Sequence, residues 1–477
     1  MKTSIILLLL ITLTSVGYAQ QDNIHQQSTL YEWPDDPLVL KKLEQWQDQK
    51  FGIIIHWGLY AVPGMIESWA LCSEDWISRP DSMTYSEFKE WYWGLKDDFN
   101  PVNFDPEQWA KAARDAGMRY LVFTTKHHDG FSMFDTKQSD FNITRGPFAS
   151  NPKADVAKHV FEAFRNEGFM IGAYFSKPDW HTEYYWWPKY ATADRNNNYD
   201  VRKYPERWAN FKRFTHNQIS ELMHNYGSID ILWLDGGWVR PLETVNGEVR
   251  SWGARIPDWS QDIDMPAISA MARKAQPGIL FVDRTVYGSF ENYQTPERRV
   301  PEHKLNNPWE SCIPLGDNWG YVPNDHLKSS TEVIHQLIEV VAKGGSLLLG
   351  IGPKPDGTID EPVLERLSEI GDWMDVNGKA LYNTRTIENY QDGNTFFTQN
   401  KDGSVNAIVK IPEGQKIPDV IEWMGNLPAK GTKMSILQGI TQVKWKNSSN
   451  KVSVRVPESI RKKSGNVPAL VFTYRVD

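Results

Sequence analysis

The chain has 477 residues, too many for one ordinary core, and a length prior of roughly 100 to 200 residues per domain implies two or three units, or one large barrel with an appendage. A formal net charge of -8 with no long basic run argues against a nucleic-acid partner. Aromatic residues make up 13% of the chain, including 21 Trp, which suits either a large aromatic core or stacking on the apolar faces of sugars.

At the N-terminus, Met1-Lys2-Thr3-Ser4 is a short basic segment, Ile5 to Leu13 an apolar core, and Gly17-Tyr18-Ala19 places the small residues Gly17 and Ala19 at the positions that precede a cleavage site. Residues 1–19 therefore read as a signal peptide and the mature protein as exported, periplasmic or secreted. No later stretch approaches 18 uninterrupted apolar residues, so no membrane span is expected.

From there, apolar runs alternate with helical stretches. Phe51–Ile55, Tyr120–Thr124, Met170–Phe175, Ile229–Leu234, Ile279–Val282 and Leu347–Leu349 read as short buried strands. Asp105–Ala116, Lys153–Asn166, Trp208–Tyr226 and Pro266–Ala275 carry apolar residues at helical spacing. Strand, helix, strand in repeated order implies right-handed crossovers and a parallel sheet. The expected fold is α/β, a (β/α)8-like (TIM-type) barrel over residues 20–383, with a doubly wound open sheet as the runner-up. Beyond it, Asn394–Gln399, Ser404–Ile411, Ile440–Lys446, Val452–Val456 and Ala469–Tyr474 are short, partly alternating and separated by turn residues. They predict a C-terminal antiparallel β-sandwich over residues 384–477.

The chemistry collects at strand ends. The run Ile229-Asp230-Ile231-Leu232-Trp233-Leu234-Asp235 stops on a carboxylate, and C-terminal strand ends form the floor of a barrel's active site. Asp235 is therefore the first catalytic candidate; a cap or turn role is the plainer alternative. Other strands run into His56-Trp57-Gly58, His127-His128-Asp129, Tyr174-Phe175-Ser176 and Asp283-Arg284, and Glu67-Ser68-Trp69 follows the first. Hydrogen-bonding His, Glu and Tyr beside Trp are what a sugar pocket needs. The histidines have no His-x-His or His-Glu-x-x-His spacing, and neighbours leaving a strand should face opposite ways, so neither a metal site nor a cofactor is expected. Cys72 and Cys312 could pair, but two cysteines so far apart form no framework and read as separate, partly buried thiols.

Together, Phe51-Gly52-Ile53-Ile54-Ile55-His56-Trp57-Gly58-Leu59-Tyr60, Phe99-Asn100-Pro101, Thr125-Lys126-His127-His128-Asp129-Gly130-Phe131, Ile231-Leu232-Trp233-Leu234-Asp235-Gly236 and Trp309-Glu310-Ser311-Cys312 with Trp319-Gly320-Tyr321 resemble the α-L-fucosidases of glycoside hydrolase family 29. The resemblance spans about residues 40 to 385. It implies a barrel followed by a β-sandwich, and a retaining exo-glycosidase that removes terminal α-linked L-fucose from a glycan through a covalent intermediate. The family's nucleophile maps onto Asp235. Its acid/base maps onto Glu297, with Glu310 as the alternative and Glu291 a distant third. His56, Glu67, Trp69, His127, His128 and Tyr174 resemble fucose-binding residues, Trp233 lines the same pocket, and Arg284 resembles an arginine beside the nucleophile. Ser68 departs from the family's adjacent Glu-Trp pair. Phe131 and Trp309 are guesses for a patch around the fucose methyl. The rival readings are a non-catalytic carbohydrate-binding protein, a glycosidase of other sugar specificity on this scaffold, and a metal-dependent hydrolase.

Overall fold

The computed structural model describes residues 23–476 apart from 75, 76, 78, 193, 253, 254, 440 and 463–466. The expected signal peptide lies outside the described residues, as does Ile440, expected to open a strand.

Seven parallel strands curl into the first sheet: β1 (Phe51–Ile55), β2 (Tyr120–Lys126), β3 (Met170–Ser176), β4 (Ile231–Asp235), β5 (Leu280–Asp283), β6 (Glu310–Pro314) and β7 (Ser346–Ile351). Their order is β5-β4-β3-β2-β1-β7-β6, so β5 and β6 form the two edges. Six of the seven match the apolar runs read from the sequence. The seventh, β6, escaped that reading because Glu-Ser-Cys-Ile-Pro opens on a carboxylate, which points into the barrel. Full burial on both faces explains why most of these strands read as continuous apolar runs without alternation.

An irregular segment, residues 290–298, fills the seam between β5 and β6. Asp283 N donates to Phe290 O and Asn292 N to Phe281 O, both at 2.8 Å, tying the segment to β5. On its other side, Glu310 N donates to Gln294 O at 2.8 Å and Cys312 N to Pro296 O at 3.0 Å. The eighth place in the barrel is thus taken by irregular backbone, and that backbone carries Glu297.

The barrel interior is packed by alternate strand residues, including Ile54, Val122, Tyr174, Trp233, Val282 and Leu348. Its lower end is closed by the helix Pro37–Gln49, which starts with Asp36 capping Leu38 N and proline in the first turn. Trp46 of that helix stacks on Tyr293 with ring centroids 3.9 Å apart. Around the sheet lie helices whose starts are set by local side chains: a Thr84–Glu87 capping box, Asp105 bonded to Gln108 N, and Ser329 bonded to Glu332 N.

The C-terminal sheet has eight antiparallel strands: β8 (Gln391–Asp392), β9 (Thr395–Gln399), β10 (Ser404–Lys410), β11 (Val420–Met424), β12 (Met434–Ile436), β13 (Thr441–Ser448), β14 (Lys451–Arg455) and β15 (Ala469–Arg475). They run in the order β11-β14-β13-β12-β15-β10-β9-β8. The sheet folds over its own core of Phe397, Trp423, Val454 and Phe472, and Met424 N reaches Asp392 Oδ2 at 2.8 Å, so its edges nearly close. A second apolar set, Phe396, Ile408, Leu437 and Val471, joins the core around the barrel helices.

β4 ends in a turn at Gly236, whose φ of +88° an L side chain rarely adopts and whose missing Cβ would lie 2.3 Å from Pro178 Cδ. Gly236→Ala is expected to cost roughly 1–3 kcal/mol, read as a lowered urea midpoint with unchanged slope. A midpoint equal to that of the parent would show that the turn relaxes freely.

Candidate active site

The upper ends of the strands open into a cavity of about 730 Å³. Asp235, Glu297, Arg284, His56, His127, Tyr174, Trp233, Glu67 and Trp69 all line it. His128 stands just behind the wall, with Nε2 3.7 Å from Asp235 Oδ2.

Asp235 is the last residue of β4. Its Oδ2 accepts from the Tyr174 hydroxyl at 2.8 Å, and its Oδ1 from Gly236 N at 2.8 Å and from Arg284 Nη1 at 3.4 Å. Burial alone would raise this carboxyl, but the Arg284 charge and these donors outweigh it and hold Asp235 well below the usual carboxylate range. It is therefore an anion at neutral pH.

Arg284 leaves β5 and turns inward, while its neighbour Asp283 pairs with the buried Lys177. The guanidinium forks: Nη1 meets Asp235 and Nη2 donates to Glu297 Oε2 at 2.6 Å. Glu297 is opposite Cys312, the third residue of β6, and its side chain is 34% exposed, so one face remains open to the cavity. Arg298 Nε lies 4.0 Å from its Oε1.

Glu310, the other sequence candidate, lies elsewhere. As the first residue of β6 it sits deep in the barrel, fully buried, accepting from Tyr120 OH at 2.7 Å and from Trp233 Nε1 at 3.2 Å. It does not line the cavity. Burial pushes its carboxyl up to about 7, and burial likewise pushes Glu291 up to about 8. Glu291 accepts from Thr285 N in the closing segment and is also away from the cavity.

The histidines correct one expectation. Their rings were expected on opposite faces, yet His127 and His128 have centroids 4.3 Å apart. β2 ends at Lys126, so strand alternation stops before them and the chain turns. His127 is held by the Ser68 hydroxyl, and His128 by Ser176 Oγ at 2.7 Å. Burial drives His127 down to about 4 and His56 and His128 well below 6.5. All are neutral at pH 7, which leaves each ring one donor and one acceptor nitrogen. His56 stacks on Trp319 at 5.1 Å, and Tyr174 stacks between His127 and Trp233 at 5.7 and 5.3 Å.

Glu67 is buried and its Oε1 accepts from Trp319 N and Gly320 N at 2.7 and 2.9 Å, which ties the loop after β6 to the loop after β1. Trp69 packs edge-on to His128 and Trp180. Phe131 and Trp309 do not line the cavity, contrary to expectation: Phe131 packs on Phe99 and Phe141, and Trp309 lies against Gly345. Both cysteines are buried and free, as read from the sequence, although Cys312 also touches the cavity. Sequence reasoning missed His25, Arg195, Trp238, Glu248, Trp252 and Trp319 in the wall. Trp319 alone stood within a quoted motif; Glu248 lies in the short helix Gly247–Ser251, Trp238 lies just past the end of β4, and the rest lie outside strands and helices.

Among the described residues no group of three His, Cys, Asp or Glu side chains is spaced to hold a metal ion, and no helix is long and apolar enough to cross a membrane.

Paired carboxylates in a walled cavity at the mouth of a parallel barrel are the equipment of glycoside hydrolases, the class that this fold and site define. Comparison with known proteins narrows the class. The α-L-fucosidase family model matches residues 18–379. Human plasma α-L-fucosidase is 29% identical over 372 residues, covering 75% of this chain and 73% of that protein. Among solved structures, α-L-fucosidase isoenzyme 1 from Paenibacillus thiaminolyticus superposes with a TM-score of 0.74 at 27% identity, over 92% of this chain and 100% of the other. Thermotoga maritima α-fucosidase in complex with fucose gives 0.69 at 25%, over 93% and 100%. The chain belongs to the α-L-fucosidase family, glycoside hydrolase family 29.

Glu310→Gln tests the buried acid. Glu310 titrates near 7 when folded and near 4.5 when unfolded, so the folded state binds more protons between those values and loses stability as pH rises through them. The variant should lack that loss. Its stability relative to the parent should therefore be higher at pH 8 than at pH 4 by on the order of 2–3 kcal/mol, from urea midpoints. An equal difference at both pH values would contradict the assignment.

Proposed function

We propose that the protein is an exported, retaining exo-α-L-fucosidase acting on terminal fucose of oligosaccharides or glycoconjugates, with Asp235 as nucleophile and Glu297 as acid/base. The observation that carries the reading is the Arg284 fork, which brings two cavity-lining carboxylates, Asp235 and Glu297, onto one guanidinium. Retention requires two carboxyl groups about 5 to 5.5 Å apart. A shared guanidinium keeps them close while the Glu297 side chain stays 34% exposed.

In the first step an Asp235 oxygen attacks the anomeric carbon of an α-fucoside, and the bond from that carbon to the leaving oxygen breaks. Glu297 gives that oxygen its proton, and a β-linked fucosyl ester on Asp235 results. In the second step water attacks the same carbon, Glu297 takes its proton, and the ester bond breaks, returning fucose of α configuration. The neutral imidazoles of His56 and His127 and the Trp233 ring form a wall suited to hydroxyls and an apolar sugar face. Fucose specificity is supported by the family match and by the fucose bound to the Thermotoga maritima relative. Export is supported by the signal-peptide pattern of residues 1–19 and by the plasma relative.

Asp235→Gly should lower kcat on an aryl α-L-fucoside by at least about a thousandfold, and azide should partly restore turnover with formation of β-fucosyl azide. Glu297→Ala should be rescued by azide to the α anomer, because azide then attacks the covalent intermediate. Normal turnover by Asp235→Gly, or azide rescue of Glu310→Ala in place of Glu297→Ala, would refute these roles.

A further inference from the structure

One wall of the cavity plays no part in the steps above. Asn23, Ile24 and His25, far in sequence from every strand end, line it, and this strap continues to Ser28. Ile24 N donates to Glu248 Oε1 at 3.1 Å, and the Gln294 side chain donates to the carbonyls of Ile24 and Gln26 at 2.9 and 2.7 Å. Gln27 donates to Asn307 Oδ1 at 2.7 Å and accepts from Asn306 N at 2.6 Å. Ile24 and Ser28 are buried. The strap is therefore fastened to the same closing segment that carries Glu297, through Gln294.

At the centre of the strap is His25. Its imidazole lines the cavity, and its Nδ1 is buried without a hydrogen-bond partner among the described residues. A buried polar nitrogen of this kind costs free energy unless something bonds to it. The ring shares the cavity wall with Glu297, and apart from burial the charges that act most strongly on it are those of Arg299, Glu297 and Arg284. Burial and Arg299 push the ring down to about 4, so it is neutral and able to donate or accept.

A proton donor marks where the glycosidic oxygen sits. Groups around it on the side away from the nucleophile face the leaving group. Clefts of about 300–1,000 Å³ hold drug-sized ligands, so a cavity of about 730 Å³ has room for more than one sugar ring. We infer that the strap forms the subsite for the sugar to which fucose is attached, with His25 hydrogen-bonding a hydroxyl of that leaving sugar and Trp252 offering an apolar face in the same wall. This rests on Glu297 being the acid.

The test compares two substrates of the full-length protein. In α-L-fucosyl fluoride the leaving group is a single atom, which cannot reach the strap. The second substrate is whichever α1,2-, α1,3-, α1,4- or α1,6-fucosyl disaccharide the parent cleaves fastest. His25→Ala should lower kcat/KM on the disaccharide about tenfold and leave the fluoride within about twofold. His25→Gln, which keeps a hydrogen-bonding side chain, should recover disaccharide turnover to within about threefold of the parent. An equal loss on both substrates would make the strap a purely structural element and overturn the inference, as would an unchanged disaccharide rate. Parent protein inactive on the fluoride would instead overturn the fucosidase reading, and this inference with it.

Discussion

One guanidinium holds two carboxylates at the head of the barrel, and much of the site is arranged around that fork. Arg284 is largely buried, so its charge must be matched nearby; Asp235 matches it, and Glu297 accepts a second hydrogen bond from the same guanidinium. Removing any one member would leave an uncompensated charge in a partly dry cavity, a larger penalty than the pair's own net stabilisation. The fork also settles orientation. Asp283 and Arg284 leave one strand end in opposite directions, one to the buried Lys177 and one to the site, which places the cation beside Asp235.

Around this charged centre the wall is polar without being charged. Three imidazoles crowd Asp235, and burial keeps them neutral, so they add hydrogen-bonding capacity without adding competing cations. Stacking of Tyr174 between His127 and Trp233 locks the ring whose hydroxyl bonds to Asp235. Glu310 completes this arrangement from below by accepting a hydrogen bond from the Trp233 indole, a structural task for a buried acid.

Much of the barrel was legible because strands buried on both faces must be apolar, and their polar last residues then stand out. Asp235, His56 and Arg284 were found in that way. β6 was hidden because a strand residue pointing into the barrel can be a carboxylate if Tyr120 and Trp233 satisfy it. That Glu297 reaches the cavity and Glu310 does not was illegible for a related reason: it depends on register across the seam. Glu297 lies opposite Cys312, two residues further toward the mouth than Glu310, and no local pattern records that pairing. The crowding of His127 and His128 was misjudged because alternation was carried past the end of β2. His25 and Trp252 come from loops whose position depends on tertiary contacts, so the sequence offered no periodic signal for them.

The central claim is that Asp235 becomes covalently bound to the sugar. The direct measurement is intact-protein and peptide mass spectrometry after incubation with 2-deoxy-2-fluoro-α-L-fucosyl fluoride, whose electron-withdrawing substituent slows turnover of an ester intermediate. The account predicts one added 2-fluorofucosyl unit, on the peptide carrying Trp233-Leu234-Asp235-Gly236, and none on Asp235→Gly. A label on any other carboxylate, or hydrolysis with net inversion and no adduct, would contradict it.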